Sequence, residues 1–253
     1  MRTSSFFRSS CISSVLAGLL GAATFLAGLA GPAGRADSTG SAGTIGTAGP
    51  ARSQDTATLS GRVEFRGFAR TPSYRDDFYS YRPPSASSHR PDPLRAIVYL
   101  EGDNLEPAAE TPPAVIDQKD EMFVPHILAV QRGTRVDFRN SDALYHNVFS
   151  FSKTKRFDLG RYPKGRSRSV AFDRLGVVRV FCEIHSHMSA FILVLPHSYF
   201  ATTDASGDFR IANIPPGRYD VVVWGDPFRP VRREVQFQSG GSIEMDFVLE
   251  PTR

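Results

Sequence analysis

Short segments in which apolar and polar residues alternate recur along this chain, and turn-forming residues separate them. Examples are Ala57 to Phe65, Ala96 to Glu101 and Arg135 to Phe138. Alternation with a period of two is typical of half-buried strands, and no segment has a strong helical period. The 21 glycines and 18 prolines agree with a fold of strands and turns. The sequence therefore predicts an all-β protein, built as a sandwich or a Greek-key barrel.

The first 36 residues differ from the rest of the chain. Two arginines precede an apolar stretch from Cys11 to Gly31, and the small residues Gly34 and Ala36 follow it. This order is typical of a secretory signal peptide, although the stretch is nearly long enough for a retained membrane anchor. We interpret residues 1–36 as a signal peptide, and we expect a periplasmic or extracellular protein with no membrane span in its mature chain. Residues 37–55, rich in Ser, Thr, Gly and Ala, predict a disordered linker.

Removal of the signal peptide changes both the charge and the cysteine content. The segment holds three arginines and no acidic residue, so the formal net charge falls from +4 to +1. Such a charge does not indicate a nucleic-acid partner. Cys182 becomes the only cysteine of the mature chain, so no internal disulfide can form. A lone thiol in an oxidising compartment is prone to oxidation unless something binds it, and a metal ion is the natural protection.

Cys182, His185 and Met188 form a C-x-x-H-x-x-M motif between two apolar segments. Thiolate, imidazole and thioether are soft donors, which favour copper over magnesium or calcium. His146 opens a predicted strand 36 residues upstream of Cys182 and can supply a second imidazole. Two histidines, one cysteine and a weakly bound methionine are the donor set of blue-copper electron-transfer sites.

The region from about residue 113 to residue 196 resembles the cupredoxins, the small exported blue-copper proteins that include plastocyanin and amicyanin. The motif upstream of the ligand loop contains Phe123, Gly133, Val136, Phe138, Asn140, Asp142, His146, Asn147 and Val148. The resemblance implies one type 1 copper, bound by His146, Cys182, His185 and Met188. It also implies that Asn147 ties the strand of His146 to the cysteine loop. The ligand loop is short, as in amicyanin.

The same resemblance implies a function. We expect a protein that is not an enzyme and that carries single electrons between redox partners, such as a c-type cytochrome or a dehydrogenase. His185 would be the outer ligand and the electron exit. Phe149 and Phe191 are expected to keep water from the metal.

Several alternatives stay open at this stage. His187 lies on the same loop and could replace His185 as a ligand. Zinc could use the same cysteine and histidines, although the methionine and the lack of a C-x-x-C motif argue against a structural zinc site. A Cys–His nucleophile lacks an evident orienting acid. The chain could also be a copper carrier or storage module without a redox role, or a metal-free β-sandwich scaffold or adhesion protein.

The C-terminal part resembles a second family. The pattern from Thr203 to Trp224 is similar to the carboxypeptidase regulatory-like, prealbumin-like β-sandwich domains. Two strands that normally open such a domain occur far upstream, at Gly61 to Val63 and at Ala96 to Leu100. We therefore expect a discontinuous sandwich of residues 56–112 and 197–253, with the cupredoxin domain, residues 113–196, inserted in it.

Overall fold

The computed structural model describes residues 55–67, 93–109 and 111–252, and the regular structure of these residues is β-strand. The all-β prediction is confirmed. The strands, numbered in chain order, are β1 (Ala57–Phe65), β2 (Ile97–Glu101), β3 (Ala114–Lys119), β4 (Met122–Val124), β5 (Ile127–Gln131), β6 (Arg135–Asn140), β7 (His146–Phe151), β8 (Arg156–Tyr162), β9 (Ser167–Ala171), β10 (Gly176–Phe181), β11 (Ser189–Leu195), β12 (Phe200–Thr202), β13 (Asp208–Ile214), β14 (Gly217–Trp224), β15 (Val231–Phe237), β16 (Ser242–Glu244) and β17 (Phe247–Leu249).

Strands from both ends of the described chain form one sandwich, which we call the terminal sandwich. One of its sheets has the order β13-β1-β16, with β17 also paired to β1, and the other has the order β12-β2-β14-β15. Strand β1 is antiparallel to β13 and parallel to β16 and β17. Apolar side chains that alternate along these strands fill the space between the two sheets, among them Leu59, Val98, Leu100, Val221 and Val223.

Strands β3 to β11 form a second sandwich, which we call the central sandwich. Its sheets have the orders β5-β11-β10-β7-β8 and β4-β3-β6-β9. The core between them includes Ile116, Phe138, Val148, Val180 and Ile192, each with no measurable exposure. This core ends at the loop that holds Cys182 and Met188, since both residues belong to the same buried cluster.

Strand β11 is buried on both faces from Ala190 onward, which explains why its last six residues are all apolar. Ala190, Ile192 and Val194 point into the core of the central sandwich. Phe191, Leu193 and Leu195 point the other way, into a third apolar cluster. That cluster also contains Ile97 of β2, and Tyr99, Phe200 and Trp224 pack against it. The two sandwiches therefore share an apolar layer.

The strand boundaries differ from the sequence pattern in three places. Apolar residues recur from Met122 to Val130, but Pro125 and His126 separate β4 from β5. The segment from Ile243 to Leu249 is likewise divided into β16 and β17. Strands β8 and β12 were not predicted, because β8 is rich in charged residues and β12 has only three residues.

The predicted signal peptide, residues 1–36, and nearly all of the predicted linker, residues 37–55, lie outside the described residues. The domain bounds 56–112, 113–196 and 197–253 stay a prediction. Strands β1 and β2 pair with strands that follow residue 197, as the discontinuous bounds predict. No helix in the described part of the chain is long and apolar enough to cross a membrane.

Candidate metal centre

Three neighbouring strands bring the predicted ligands to one end of the central sandwich. His146 is the first residue of β7, Cys182 directly follows β10, and Met188 directly precedes β11. Strand β10 is antiparallel to both β7 and β11, with Phe181 opposite Phe149 and Ser189. The start of β7, the end of β10 and the start of β11 therefore lie at the same edge.

Donor atoms of three side chains converge at this edge. His146, Cys182 and His185 each offer one ligand atom, and these atoms lie within 4.8 Å of one another. The Nδ1 atoms of His146 and His185 are 2.9 Å apart, and Cys182 Sγ lies 3.9 Å from His146 Nδ1. A search of the described residues for three or more histidine, cysteine or acidic side chains that could hold a metal ion finds this group.

Burial separates the four predicted ligands into three inner residues and one outer residue. His146, Cys182 and Met188 have exposed fractions of 0%, 3% and 2%. His185 is only half-buried. The loop is closed by hydrogen bonds from Cys182 N to Met188 O and from Met188 N to His185 O. The short loop thus brings Met188 into the same buried cluster as Cys182 and leaves His185 partly exposed.

The ring of His187 is directed elsewhere. His187 is exposed, and its Nε2 atom lies 3.6 Å from a carboxylate oxygen of Glu121. Its ring centroid is 6.1 Å from that of His185. His185, and not His187, is the loop histidine whose nitrogen reaches the group formed with His146 and Cys182.

Asn147 joins the strand of His146 to the cysteine loop. Its side chain is buried, and Oδ1 accepts a hydrogen bond of 2.7 Å from the backbone N–H of Glu183. Glu183 follows Cys182 directly, so this bond fixes the distance between β7 and the residue after the thiol. The contact is the one that the sequence resemblance implies for Asn147.

Asp142 is a residue of the site that the sequence interpretation did not assign. Its Oδ2 atom lies 2.8 Å from His146 Nε2, on the side of the ring opposite to Cys182. Its carboxylate also accepts hydrogen bonds from the backbone N–H groups of Asp120 and Glu121. The sequence signal was an acidic residue four positions before a histidine that opens a buried strand. That signal is weak, because residues 141–145 have no regular period.

The surroundings of Cys182 favour its thiolate form. Burial raises the pKa of the thiol, but hydrogen bonds from His146 and from the backbone of Asn147, His185 and Ile184 lower it more, so the net pKa is lowered. The thiolate is the form that binds metals.

The two imidazoles of the group respond in opposite directions. Burial lowers the pKa of His146, but the hydrogen bonds to Cys182 and Asp142 raise it more, so its net pKa is raised. The pKa of His185 is lowered, first by burial and then by the neighbouring charge of His146. His185 is therefore the histidine that more readily presents a neutral ring to a metal.

The expected shielding by Phe149 and Phe191 is wrong. Side chains alternate along a strand, so Phe149 points away from the face of β7 that carries His146, and its ring packs against Phe151 and Phe181. Phe191 packs against Trp224 in the apolar layer shared with the terminal sandwich. The core residues that share the buried cluster of Cys182 and Met188 include Phe123 and Phe138.

A comparison with family models agrees with the resemblance of the C-terminal part to the carboxypeptidase regulatory-like domains. Residues 189–250 match the family model of the carboxypeptidase regulatory-like domain. The matched range begins in β11, which pairs in the central sandwich, while β1 and β2 of the terminal sandwich lie before it. A comparison with curated proteins finds no match.

Three solved structures illustrate the structural likeness. A Cu-containing nitrite reductase from Thermus scotoductus SA-01 is 23% identical over 35% of this chain and 23% of that chain, with a TM-score of 0.33. The chain thus spans about a quarter of that relative. A purple cupredoxin from Nitrosopumilus maritimus is 22% identical over 32% of this chain and 99% of that chain, with a TM-score of 0.30.

A reduced mutant of amicyanin is 21% identical over 39% of this chain and 98% of that chain, with a TM-score of 0.32. The names of the last two structures are those of cupredoxins, the family that residues 113–196 resemble in sequence. The family match of this chain is thus to the carboxypeptidase regulatory-like domain, at residues 189–250.

Proposed function

We propose that the chain is an exported type 1 copper protein that carries single electrons between redox proteins. The observation that carries the proposal is the convergence of two imidazole nitrogens and one thiol sulfur within 4.8 Å, at the end of the central sandwich. The order and spacing of the ligand motifs in the sequence support it independently.

The donor set fits copper. His146, Cys182 and His185 would hold the ion, and the buried thioether of Met188 would be the weak fourth donor. Thiolate with imidazoles and a methionine is the set that blue-copper sites use, whereas structural zinc sites favour four cysteine or histidine donors. When bound, copper would supply a one-electron couple between Cu(I) and Cu(II). In a purely structural zinc site Met188, which is 2% exposed, would pack in the core without serving as a ligand.

The chain itself would keep the ligand geometry fixed in both oxidation states. His146 and Cys182 are attached to adjacent strands, and the hydrogen bond from Glu183 N to Asn147 Oδ1 joins them. Ligands held in this way need little rearrangement when an electron enters or leaves. The inner residues also exclude water, since His146, Cys182 and Met188 are all buried.

Partner proteins would dock at the half-exposed His185. The two loops that carry the histidines also expose Leu144, Tyr145 and Ile184, with exposed fractions of 45%, 58% and 39%. Apolar side chains at such a position allow a brief contact that excludes water near the electron exit. We propose a redox protein, such as a c-type cytochrome or a dehydrogenase, as the partner.

We also propose that the protein is exported and acts in the periplasm or outside the cell. The leader-like residues 1–36 and the single remaining thiol, Cys182, support this location. Metal binding would protect a thiol that has no disulfide partner.

A visible absorption spectrum of the purified chain, recorded after Cu(II) is added and the excess is removed, tests the proposal. We expect an intense blue thiolate-to-copper band that a mild reductant bleaches and an oxidant restores. Cys182→Ser should abolish the band, and His197→Ala is the control, because His197 is a histidine outside the group. Copper bound tightly without the band would favour a carrier, and no retained copper would contradict the proposed function.

A further inference from the structure

The carboxylate of Asp142 contacts the proposed ligand His146 at its outer nitrogen, Nε2. Asp142 Oδ2 lies 2.8 Å from His146 Nε2, and His146 has no exposed surface. The side chain of Asp142 is itself only 12% exposed. The contact is therefore largely removed from water, where the orientation of a hydrogen bond has its full effect.

The backbone holds Asp142 in place without help from His146. Asp142 Oδ1 accepts a 2.6 Å hydrogen bond from Asp120 N, and Oδ2 accepts one of 2.9 Å from Glu121 N. These two residues form the turn between β3 and β4, and both have positive φ angles, 54° and 55°. The backbone N–H of Asp142 donates to Asn140 Oδ1 at 2.9 Å. The turn thus fixes the carboxylate, and the carboxylate can then fix the ring.

The chemistry of the two partners decides which ring nitrogen carries the proton. An ionised carboxylate can only accept hydrogen bonds, so Nε2 of His146 must be the donor. In the neutral ring, Nδ1 then carries no proton, and its lone pair can accept a hydrogen bond or bind a metal. Nδ1 is the atom that faces Cys182 Sγ at 3.9 Å and His185 Nδ1 at 2.9 Å.

We propose that Asp142 is a positioning residue that holds His146 as its Nε2–H tautomer and so aims Nδ1 at the metal position. This proposal deepens the proposed copper function and rests on it only for the consequence for copper. A carboxylate behind a ligating histidine also increases the basicity of that ligand. We therefore expect Asp142 to tighten copper binding and to favour Cu(II) over Cu(I).

Nitrogen-15 NMR of the metal-free chain tests the positioning directly. In the native protein we expect His146 to give a protonated Nε2 signal and an unprotonated Nδ1 signal, with an Nε2–H proton that exchanges slowly with water. Asp142→Ala should abolish the slow exchange and mix the tautomers. Asp142→Asn keeps the volume of the side chain but cannot accept from all three donors, so it should show the same change to a smaller extent.

The matched control is Asp204→Asn in the terminal sandwich. Asp204 Oδ1 accepts hydrogen bonds from two backbone N–H groups, those of Ser206 and Asp208, as Asp142 does from its turn, but Asp204 has no histidine partner in the contacts described. This variant should leave the His146 signals unchanged. Unchanged His146 signals in both Asp142 variants would overturn the proposal.

Copper titration of the same variants gives the second measurement. Loss of the carboxylate should weaken copper binding by about 10- to 100-fold and raise the reduction potential. An equal loss in Asp204→Asn would show that only stability matters and would overturn the positioning role. If the native chain binds no copper while the tautomer still depends on Asp142, the positioning stands and the proposed function fails.

Discussion

His185 and His187 are two residues apart, yet their rings have different partners. The nitrogen of His185 reaches His146 at 2.9 Å, whereas His187 lies near Glu121. We expect His185→Ala to weaken copper binding by more than about 100-fold, which exceeds the usual cost of losing an outer partner of a ligand. Copper titration against a competing chelator measures the change. His187→Ala is the matched control and should keep the native affinity; the reverse result would reassign the loop ligand.

Asn147 is expected to contribute to stability as well as to the site. Asn147→Ala would remove the acceptor of the hydrogen bond from the backbone N–H of Glu183, which is part-buried. Loss of such a bond should lower the free energy of unfolding by about 0.5–1.5 kcal/mol, the net contribution of a typical hydrogen bond. Urea denaturation of the metal-free protein measures the loss. Asn104→Ala, at an exposed turn position, should change the free energy by less than about 0.5 kcal/mol.

At the scale of elements, the turn before β13 depends on a close approach of two backbones. Gly207 has a φ of +88°, and a Cβ atom built there would lie 2.3 Å from the carbonyl oxygen of Val63 in β1. Gly165 has a similar φ of +76°, but a Cβ atom there meets nothing within 4 Å. The two glycines therefore share the backbone requirement and differ only in the contact.

Alanine substitutions at these two glycines should separate the two effects. Gly165→Ala carries only the cost of a left-handed backbone, about 1–2 kcal/mol. Gly207→Ala should cost about 1–3 kcal/mol more, because β1 and the turn must move apart. Thermal unfolding of both variants measures the difference. Equal losses would show that the contact between the turn and β1 does not matter.

Element patterns also explain which features could be predicted from the sequence. The alternation in β1, β2 and β7 revealed strands, and the Cys182 motif pointed to the site, because both signals are local. The alternation in β7 also implied that Phe149 and His146 point to opposite faces, so the shielding prediction was avoidable. Strand β11 carries apolar residues on both faces, and no local pattern tells which core each face enters.

The sequence did not reveal the role of Asp142, and the reason differs from that for β11. It depends on a turn, residues 120–121, that lies more than 20 positions upstream and reaches the carboxylate through backbone N–H groups. Backbone donors leave no signature in side-chain identity. Likewise, β12 is too short for periodicity to reveal, and it is recognisable only through its pairing with β2.

At the scale of the whole molecule, the shared apolar layer couples the two sandwiches. Phe191 is 5% exposed, and its ring centroid is 5.9 Å from that of Trp224. Phe191→Ala should reduce the free energy of unfolding by about 3–5 kcal/mol, the usual cost of removing a large buried ring. It should also separate the unfolding of the two sandwiches.

Calorimetry of the metal-free protein checks this expectation. The native protein should give one transition and Phe191→Ala two, whereas Phe151→Ala, which removes a ring that is 69% exposed, should keep one transition. One transition of native midpoint in Phe191→Ala would contradict the coupling.

The strands of the terminal sandwich come from two separate parts of the chain, so the two sandwiches cannot be completed at the same time during synthesis. Strands β3 to β11 follow one another along the chain and, among the described strands, pair only with each other. They can complete their sheets as soon as they have been synthesised. Strands β1 and β2 are made earlier but must wait for β12 to β17, with apolar side chains such as Leu59 and Leu100 uncovered in the meantime. A newly made chain therefore passes through a stage in which its oldest strands are its most aggregation-prone part, and chaperone demand should end only when the last strand emerges.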